Sequence, residues 1–380
     1  MLDLREFYEE LQKKDINFFV GVPDSLLKAF CEYIRHNVSK EKNIIAANEG
    51  NATAIASGYY IATGKIGLVY MQNSGLGNAI NPIVSLADEL VYKIPMLLLV
   101  GWRGQPHVKD EPQHKKQGMI TRELLESVGI KYKLIGKRTS MEDFKEYIDY
   151  AYEYMNENKK IYALIIEKDT FSESKIYIDN KIENYSDDFE MSREEAIEVI
   201  AKNVEKDSAV ISTTGMASRE LFEIRERLGQ GHNKDFLTVG SMGHASQIAL
   251  GIALNSQKNI YCIDGDGALI MHLGGLAIIG DLKPKNLKHI VINNGAHDSV
   301  GGQKTVGFNI DIVKIAEACA YNESYICYTK KELLKCFESI KNVDGPVLIE
   351  VRVKKGARKD LGRPSLSPEE NKRGFMELFN

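Results

Sequence analysis

The chain has 380 residues, 43% of them hydrophobic, so it is long enough for two domains of ordinary size, each with a substantial core. A formal net charge of −4 and the absence of a long basic tract argue against nucleic acid as the main partner. The longest apolar runs, such as Met96 to Val100, are strand-sized and too short to span a bilayer, and the N-terminus lacks an apolar leader core. Five scattered cysteines without a CxxC pair fit reduced thiols, so the expectation is a soluble cytoplasmic protein with no membrane partner.

Asp3 can cap a first helix whose apolar positions Leu4, Phe7, Tyr8 and Leu11 share one face. Strand Phe18 to Val22 then turns at Pro23, Asp24 and Ser25 into helix Leu26 to Ile34, and strand Ile44 to Ala47 ends in Asn48-Glu49-Gly50. Helix Ala52 to Ala62, strand Gly67 to Met71, helix Asn78 to Leu90 and strand Met96 to Val100 continue the alternation. A helix near Ile120 to Val128, strand Lys131 to Ile135, helix Met141 to Met155 and strand Ile161 to Ile166 complete the first half. Polar residues 171–191 read as a linker, and Ser192-Arg193-Glu194-Glu195 supplies a capping box. Further strands follow near Ala209 to Ser212, Phe236 to Val239, Ile260 to Ile263, Leu287 to Ile292, Tyr325 to Cys327 and Val347 to Val353. Strands alternating with crossover helices predict an α/β protein of two doubly wound parallel sheets, over 1–170 and 192–380, with no central third domain.

The densest chemistry lies between Asn259 and Gly302. Strand Ile260 to Ile263 turns at Asp264-Gly265-Asp266-Gly267 into a helical pattern from Ala268 to Gly280, and strand Leu287 to Ile292 ends in Asn293-Asn294. In a right-handed crossover both strand ends open on one edge of the sheet, so Asp266 and Asn294 can meet there. A carboxylate, an amide oxygen and a backbone carbonyl are hard ligands suited to Mg²⁺, and Gly265 and Gly267 with the helix start at Ala268 suit a diphosphate.

GDG, the 25 residues Ala268 to Ile292, and NN together resemble the cofactor anchor of the thiamine diphosphate (ThDP) enzymes. The resemblance implies the ThDP-binding fold, Mg²⁺ held by Asp266, Asn294 and the carbonyl of Ala296, and diphosphate contacts from Thr213 and Thr214. The run from Asn48 through SGLGN resembles the pyrimidine-binding domain of the same enzymes, which implies that Glu49 bonds the aminopyrimidine N1′ and that Ser74, Gly75 and Asn78 line the cofactor. The same resemblance implies that Gly240 and Met242 lie in the loop that touches the aminopyrimidine and props the cofactor. Because these two sets of residues lie in different domains, the resemblance implies a homodimer or higher oligomer with sites where chains meet.

GVPDS at Gly21 to Ser25, NEGNA at Asn48 to Ala52, GWRGQP at Gly101 to Pro106, GSMGHASQIALGIAL at Gly240 to Leu254, NNGAHDSVGGQ at Asn293 to Gln303 and DLGRP at Asp360 to Pro364 are similar to the phosphonopyruvate decarboxylases. Asp298 stands where that family leads one to expect glutamate. The resemblance implies decarboxylation of a small 2-oxo acid with an anionic head, with His297 helping to protonate the product and with Asp24, Ser25, Asp298 and Ser299 near the substrate. Arg103 and His107 are the expected head-group donors, and Lys354, Lys355, Arg358, Lys359 and Arg363 a second basic set. Sulfopyruvate decarboxylation is the near alternative. An acetolactate-synthase-like carboligase is disfavoured by the missing central domain, and a non-catalytic subunit by the presence of Glu49, Asp266 and Asn294.

Overall fold

A computed structural model describes residues 1–172 and 188–379, so the expected linker 171–191 falls largely outside the described residues. The chain divides into two compact units, Met1–Lys181 and Ile182–Asn380.

The first unit contains β1 (Phe19–Gly21), β2 (Asn43–Ile45), β3 (Leu68–Gln72), β4 (Leu97–Gly101), β5 (Lys131–Ile135) and β6 (Tyr162–Ile166). They form one parallel six-stranded sheet in the order β2-β1-β3-β4-β6-β5. The second unit contains β7 (Ala209–Ser212), β8 (Asp235–Leu237), β9 (Ile260–Gly265), β10 (Leu287–Asn293), a small hairpin of β11 (Ala296–His297) and β12 (Gln303–Lys304), β13 (Glu323–Cys327) and β14 (Val347–Arg352). Its parallel sheet runs β13-β14-β10-β9-β7-β8. Read from β8, and leaving the hairpin aside, this is the strand order of the first sheet.

Both sheets are covered on two faces, which is why their strands read as unbroken apolar runs. Side chains alternate across the pleat. In the first unit Leu97 and Leu99 join Phe7, Phe30 and Phe144 on one face, while Leu98 and Val100 join Ala52, Ala79 and Ile83 on the other. In the second, Ile290 and Ile292 pack with Leu221 and Phe337, and Val291 and Cys262 with Ala249 and Leu276. No helix among the described residues is long and apolar enough to cross a membrane.

Local signals account for most boundaries. Asp3 Oδ1 accepts from the amides of Arg5 and Glu6 and caps the helix Leu4–Lys13, and Ser192 and Glu195 cap Arg193–Asn203 reciprocally. Three expectations are corrected. The helix expected from Ala268 to Gly280 is two, Asp266–Met271 and Gly275–Leu282, because consecutive glycines disfavour helix and a Cβ on Gly275 would overlap the Gln247 amide. The helix expected to reach Leu90 is regular only over Leu76–Pro82 and the helical backbone ends at Ala87, since Asp88 leaves it at ψ 154 and takes the Leu90 amide on its own side chain. The helix expected near Ile120 begins at Pro112, whose fixed φ suits a first turn.

A C-terminal helix, Pro368–Met376, escaped the periodicity because its buried residues are only Asn371 and Phe375. Asn371 accepts from the Leu237 amide at 2.9 Å and donates to the Asp235 carbonyl at 2.8 Å, so its side chain stands in for a missing strand at the open edge of β8.

Candidate active site

The carboxyl ends of β7, β8, β9 and β10 are neighbours, and the loops leaving them interlock. Thr214 Oγ1 donates to the Val239 carbonyl at 2.8 Å, joining the Thr213–Gly215 turn to the loop that carries Gly240 and Met242. A Cβ on Gly243 would stand 3.0 Å from the Ala268 carbonyl, and one on Gly215 3.8 Å from Ser299 Oγ. Thr213, Thr214, Gly240, Met242, Gly265 to Ala268, Asn294, Ala296 and Ser299 are thus gathered on one edge.

Asp266 opens the helix after β9 and is 2% exposed. The Thr305 hydroxyl donates to its Oδ2, and backbone amides, that of Asn294 first among them, also reach the carboxylate. Burial outweighs these bonds and lifts its pKa to about 6. Gly307 backs onto it so closely that a Cβ there would lie 2.5 Å from Oδ2. Asn294 Nδ2 donates to Asp298 Oδ2 at 2.7 Å, and its Oδ1 accepts the Ala296 amide at 3.1 Å. Asn293 donates to the Gly307 carbonyl and to Glu350 Oε1, both at 2.8 Å.

These residues fit a divalent cation. The Asn294 backbone amide bonds the Asp266 carboxylate, the two side chains offer a carboxylate and an amide oxygen, Ala296 is held to Asn294 Oδ1 through its own amide, and a dication would offset the cost of burying Asp266. Above Gly265 a Cβ would meet nothing within 4 Å, which leaves room for a ligand against the turn. Across the hairpin, His297 faces Gln303, whose amide nitrogen and oxygen are both buried without a hydrogen-bond partner among the described residues. The His297 ring lies on Gly267, with Cε1 2.8 Å from where a Cβ would be, and burial holds its pKa down to about 4.

Beneath the turn Cys262, Asp264 and His289 cluster, all fully buried. Asp264 Oδ1 accepts the Gly265 amide at 2.9 Å, and His289 lies 3.4 Å from Asp264 Oδ2 and 3.2 Å from the Tyr321 hydroxyl. This cluster braces the turn from below.

The first unit gathers a second set. Glu49 begins the helix Glu49–Thr63 behind its cap Asn48 and is 6% exposed. Asn78 Nδ2 donates to Glu49 Oε2 at 2.8 Å, and a Cβ on Gly75 would stand 2.5 Å from the carboxyl carbon. Ser74 donates to Gln72 Oε1 at 2.7 Å, and Gln72 donates to Asp24 Oδ1 at 2.6 Å. Asp24 is fully buried, and the lost hydration raises its pKa against its bonds to Gln72 and to the Leu26 and Leu27 amides.

Arg103 reaches Ser25 Oγ at 2.7 Å, but its Nε and Nη2 fork onto Asp110 at 2.8 and 2.6 Å. Arg103, expected as a head-group donor, is therefore a neutralised pair with one N–H directed at Ser25. His107 is exposed at φ 68° in the following turn. Of the C-terminal basic set, Lys355 donates to the Gly302 carbonyl and Arg358 pairs with Glu194, Glu223 and Asp360.

Gln72, Arg193, Thr305, Gly307 and Glu350 are not among the site residues expected from sequence. Gln72 and Glu350 could have been found as polar residues in buried strands; Thr305 and Gly307 carry no local signal because the fold alone brings them to Asp266 and Asn293.

Residues 212–351 match the C-terminal TPP binding domain of the thiamine pyrophosphate enzymes, and residues 5–125 match the N-terminal TPP binding domain. The chain is 32% identical over 365 residues to phosphonopyruvate decarboxylase of Streptomyces viridochromogenes, covering 93% of this chain and 89% of that protein. It is 30% identical over 388 residues to phosphonopyruvate decarboxylase of Streptomyces hygroscopicus, covering 100% and 94%. With sulfopyruvate decarboxylase of Methanosarcina acetivorans it shares 28% over 390 residues, covering 98% and 96%.

Proposed function

The chain belongs to the thiamine pyrophosphate enzymes, and from that premise we propose that it is a ThDP- and Mg²⁺-dependent decarboxylase that converts 3-phosphonopyruvate to phosphonoacetaldehyde and CO₂. Residues 1–170 serve as the pyrimidine-binding domain and 192–380 as the diphosphate-binding domain. The observation that carries the reading is the hard-oxygen set at Asp266, Asn294 and Ala296, in a chain matched along its length by phosphonopyruvate decarboxylases.

Asp266, Asn294 and the Ala296 carbonyl hold the cation, while Thr213, Thr214 and Gly265 to Ala268 receive the diphosphate. Bound ThDP supplies the electron sink for the pair released as CO₂ departs. Glu49 holds or passes a proton at the aminopyrimidine N1′, Asn78 fixes one of its oxygens, and Gly75 leaves it room. Gly240 and Met242 seat the aminopyrimidine. Ser25, Arg103 and His107, with Asp24 beside Ser25, orient the anionic head, while Asp298 and Ser299 belong to the loop near the substrate. His297, resting on Gly267 and neutral because of its burial, relays a proton to the product carbon by taking one up at one ring nitrogen as it gives one from the other. His297→Ala is then expected to slow aldehyde release while ThDP affinity stays near wild type, and an equal loss of cofactor binding would make the residue structural.

Sulfopyruvate is the second reading, favoured by full-length similarity to a sulfopyruvate decarboxylase. Metal- and ThDP-dependent CO₂ release measured side by side on phosphonopyruvate, sulfopyruvate and pyruvate tests both: the highest kcat/KM on phosphonopyruvate is expected, and turnover of none of the three would overturn the assignment. The active species is a cytoplasmic homodimer or larger oligomer, and a monomer by light scattering at working concentration would contradict that.

A further inference from the structure

We propose that Asp298 is a positioning residue that sets the orientation of the Asn294 amide, and that Arg193 holds it there. The proposal rests on the reading of Asn294 as a cation ligand, and it moves Asp298 from the substrate to the support of the metal end.

One oxygen of Asp298, Oδ2, receives three donors: Asn294 Nδ2 at 2.7 Å, Arg193 Nη1 at 2.8 Å and the Gly356 amide at 3.0 Å. Arg193 is itself fixed, because its Nε and Nη2 fork onto Glu220 at 2.8 and 3.0 Å, and Glu220 is 1% exposed. The side chains of Arg193 and Asp298 are 8% and 7% exposed, so little water competes for these bonds. The strut draws on the start of the helix Arg193–Asn203, on the helix Met216–Arg227 and on the segment after β14.

An amide has two unlike ends. A carboxylate can only accept hydrogen bonds, so Asp298 selects the NH₂ end of Asn294 and directs the oxygen away from itself. If the amide were turned over, two oxygens would face each other and the cation would meet N–H groups, which cannot ligate it. The guanidinium lies between two carboxylates, Glu220 and Asp298, and supplies the charge that lets an acid be buried beside a ligand without a counter-ion of its own. Because a single oxygen takes all three donors, asparagine at 298 can reproduce the acceptor without the charge, whereas alanine cannot.

The test measures Mn²⁺ binding by electron paramagnetic resonance with full-length protein at saturating ThDP, alongside the thermal midpoint without metal. Asp298→Ala is expected to weaken Mn²⁺ binding by about 10- to 100-fold, the usual scale for removing a group that orients a ligand, and Asp298→Asn to recover most of it. Unchanged Mn²⁺ affinity in Asp298→Ala overturns the proposal, as does a loss confined to the thermal midpoint. Equal loss in both variants also overturns it, since charge and not orientation would then be the role. If Asp298→Ala does not fold, Arg193→Lys carries the test with the same expectation, because an ammonium cannot span both carboxylates. A wild-type protein that binds no Mn²⁺ in the presence of ThDP overturns both this inference and the reading beneath it.

Discussion

The two sheets have one strand order, yet the acids at their carboxyl edges are held in opposite ways. Glu49 is fixed by Asn78 and leans against the bare backbone of Gly75. Asp266 sits in a built frame: Thr305 and backbone amides on its oxygens, Gly307 at its back, and beside it Asn294, tied through Asp298 to Arg193 and Glu220. The same topology therefore carries two grades of constraint. A group that passes a proton needs one anchor and freedom to exchange, whereas cation ligands must hold their geometry against the pull of a dication.

The largest effect separates the two acids outright. Asp266→Ala should lose ThDP on gel filtration and fall below detectable turnover, because the proposed cation ligand and the frame around it go together. On the proton-transfer role proposed for it, Glu49→Ala should lower turnover by about 10² to 10⁴-fold and retain cofactor poorly. Normal turnover in Glu49→Ala, measured as CO₂ release at saturating ThDP, would end the comparison.

Gly75→Ala tests the freedom of Glu49 directly. Its Cβ would stand 2.5 Å from the carboxyl carbon, so the carboxylate must shift by an ångström or so, and a displacement of that size costs about 10²-fold in rate. Circular dichroism should be unchanged, since Gly75 lies in a short turn at φ −73° that alanine also adopts. Wild-type kcat in this variant would show that Glu49 needs no defined position.

Much of this was legible from residues alone, for identifiable reasons. Buried parallel strands announce themselves as apolar runs, and GDG and NN mark the ends of two neighbouring ones. The support around them was not. Thr305 reaches Asp266 through a hairpin whose register no period encodes, and Arg193 was visible only as part of a helix cap. Arg103 follows the carboxyl end of β4, as its place in the sequence implies, but the Asp110 that neutralises it is seven positions away in an irregular loop, where spacing says nothing about pairing. The pair changes the expectation in degree: Arg103→Ala or His107→Ala should raise KM for phosphonopyruvate about tenfold more than for pyruvate, the worth of one charge-assisted bond. Equal changes on both substrates would exclude this loop from head-group recognition and turn attention to Lys355.

The smallest effect sharpens the comparison most finely, because it uses the same local motif in each unit. Ser140 with Asp143 and Ser192 with Glu195 form capping boxes at the starts of Met141–Asn158 and Arg193–Asn203. Either serine replaced by alanine should cost about 1 kcal/mol in unfolding free energy. Ser140 begins a helix that packs through Phe144, Ile148, Ala151 and Met155 and contributes no candidate site residue, so its loss should leave Mn²⁺ affinity unchanged. Ser192 immediately precedes Arg193, the first residue of its helix and the far end of the strut to Asp298. Fraying that turn should weaken Mn²⁺ binding by up to about fivefold, the ceiling set by a loss of 1 kcal/mol. Matching Mn²⁺ titrations for Ser140→Ala and Ser192→Ala, with matching losses of stability, would mean that the strut holds without its cap and that the frame around Asn294 is fixed by Glu220 and Gly356 alone.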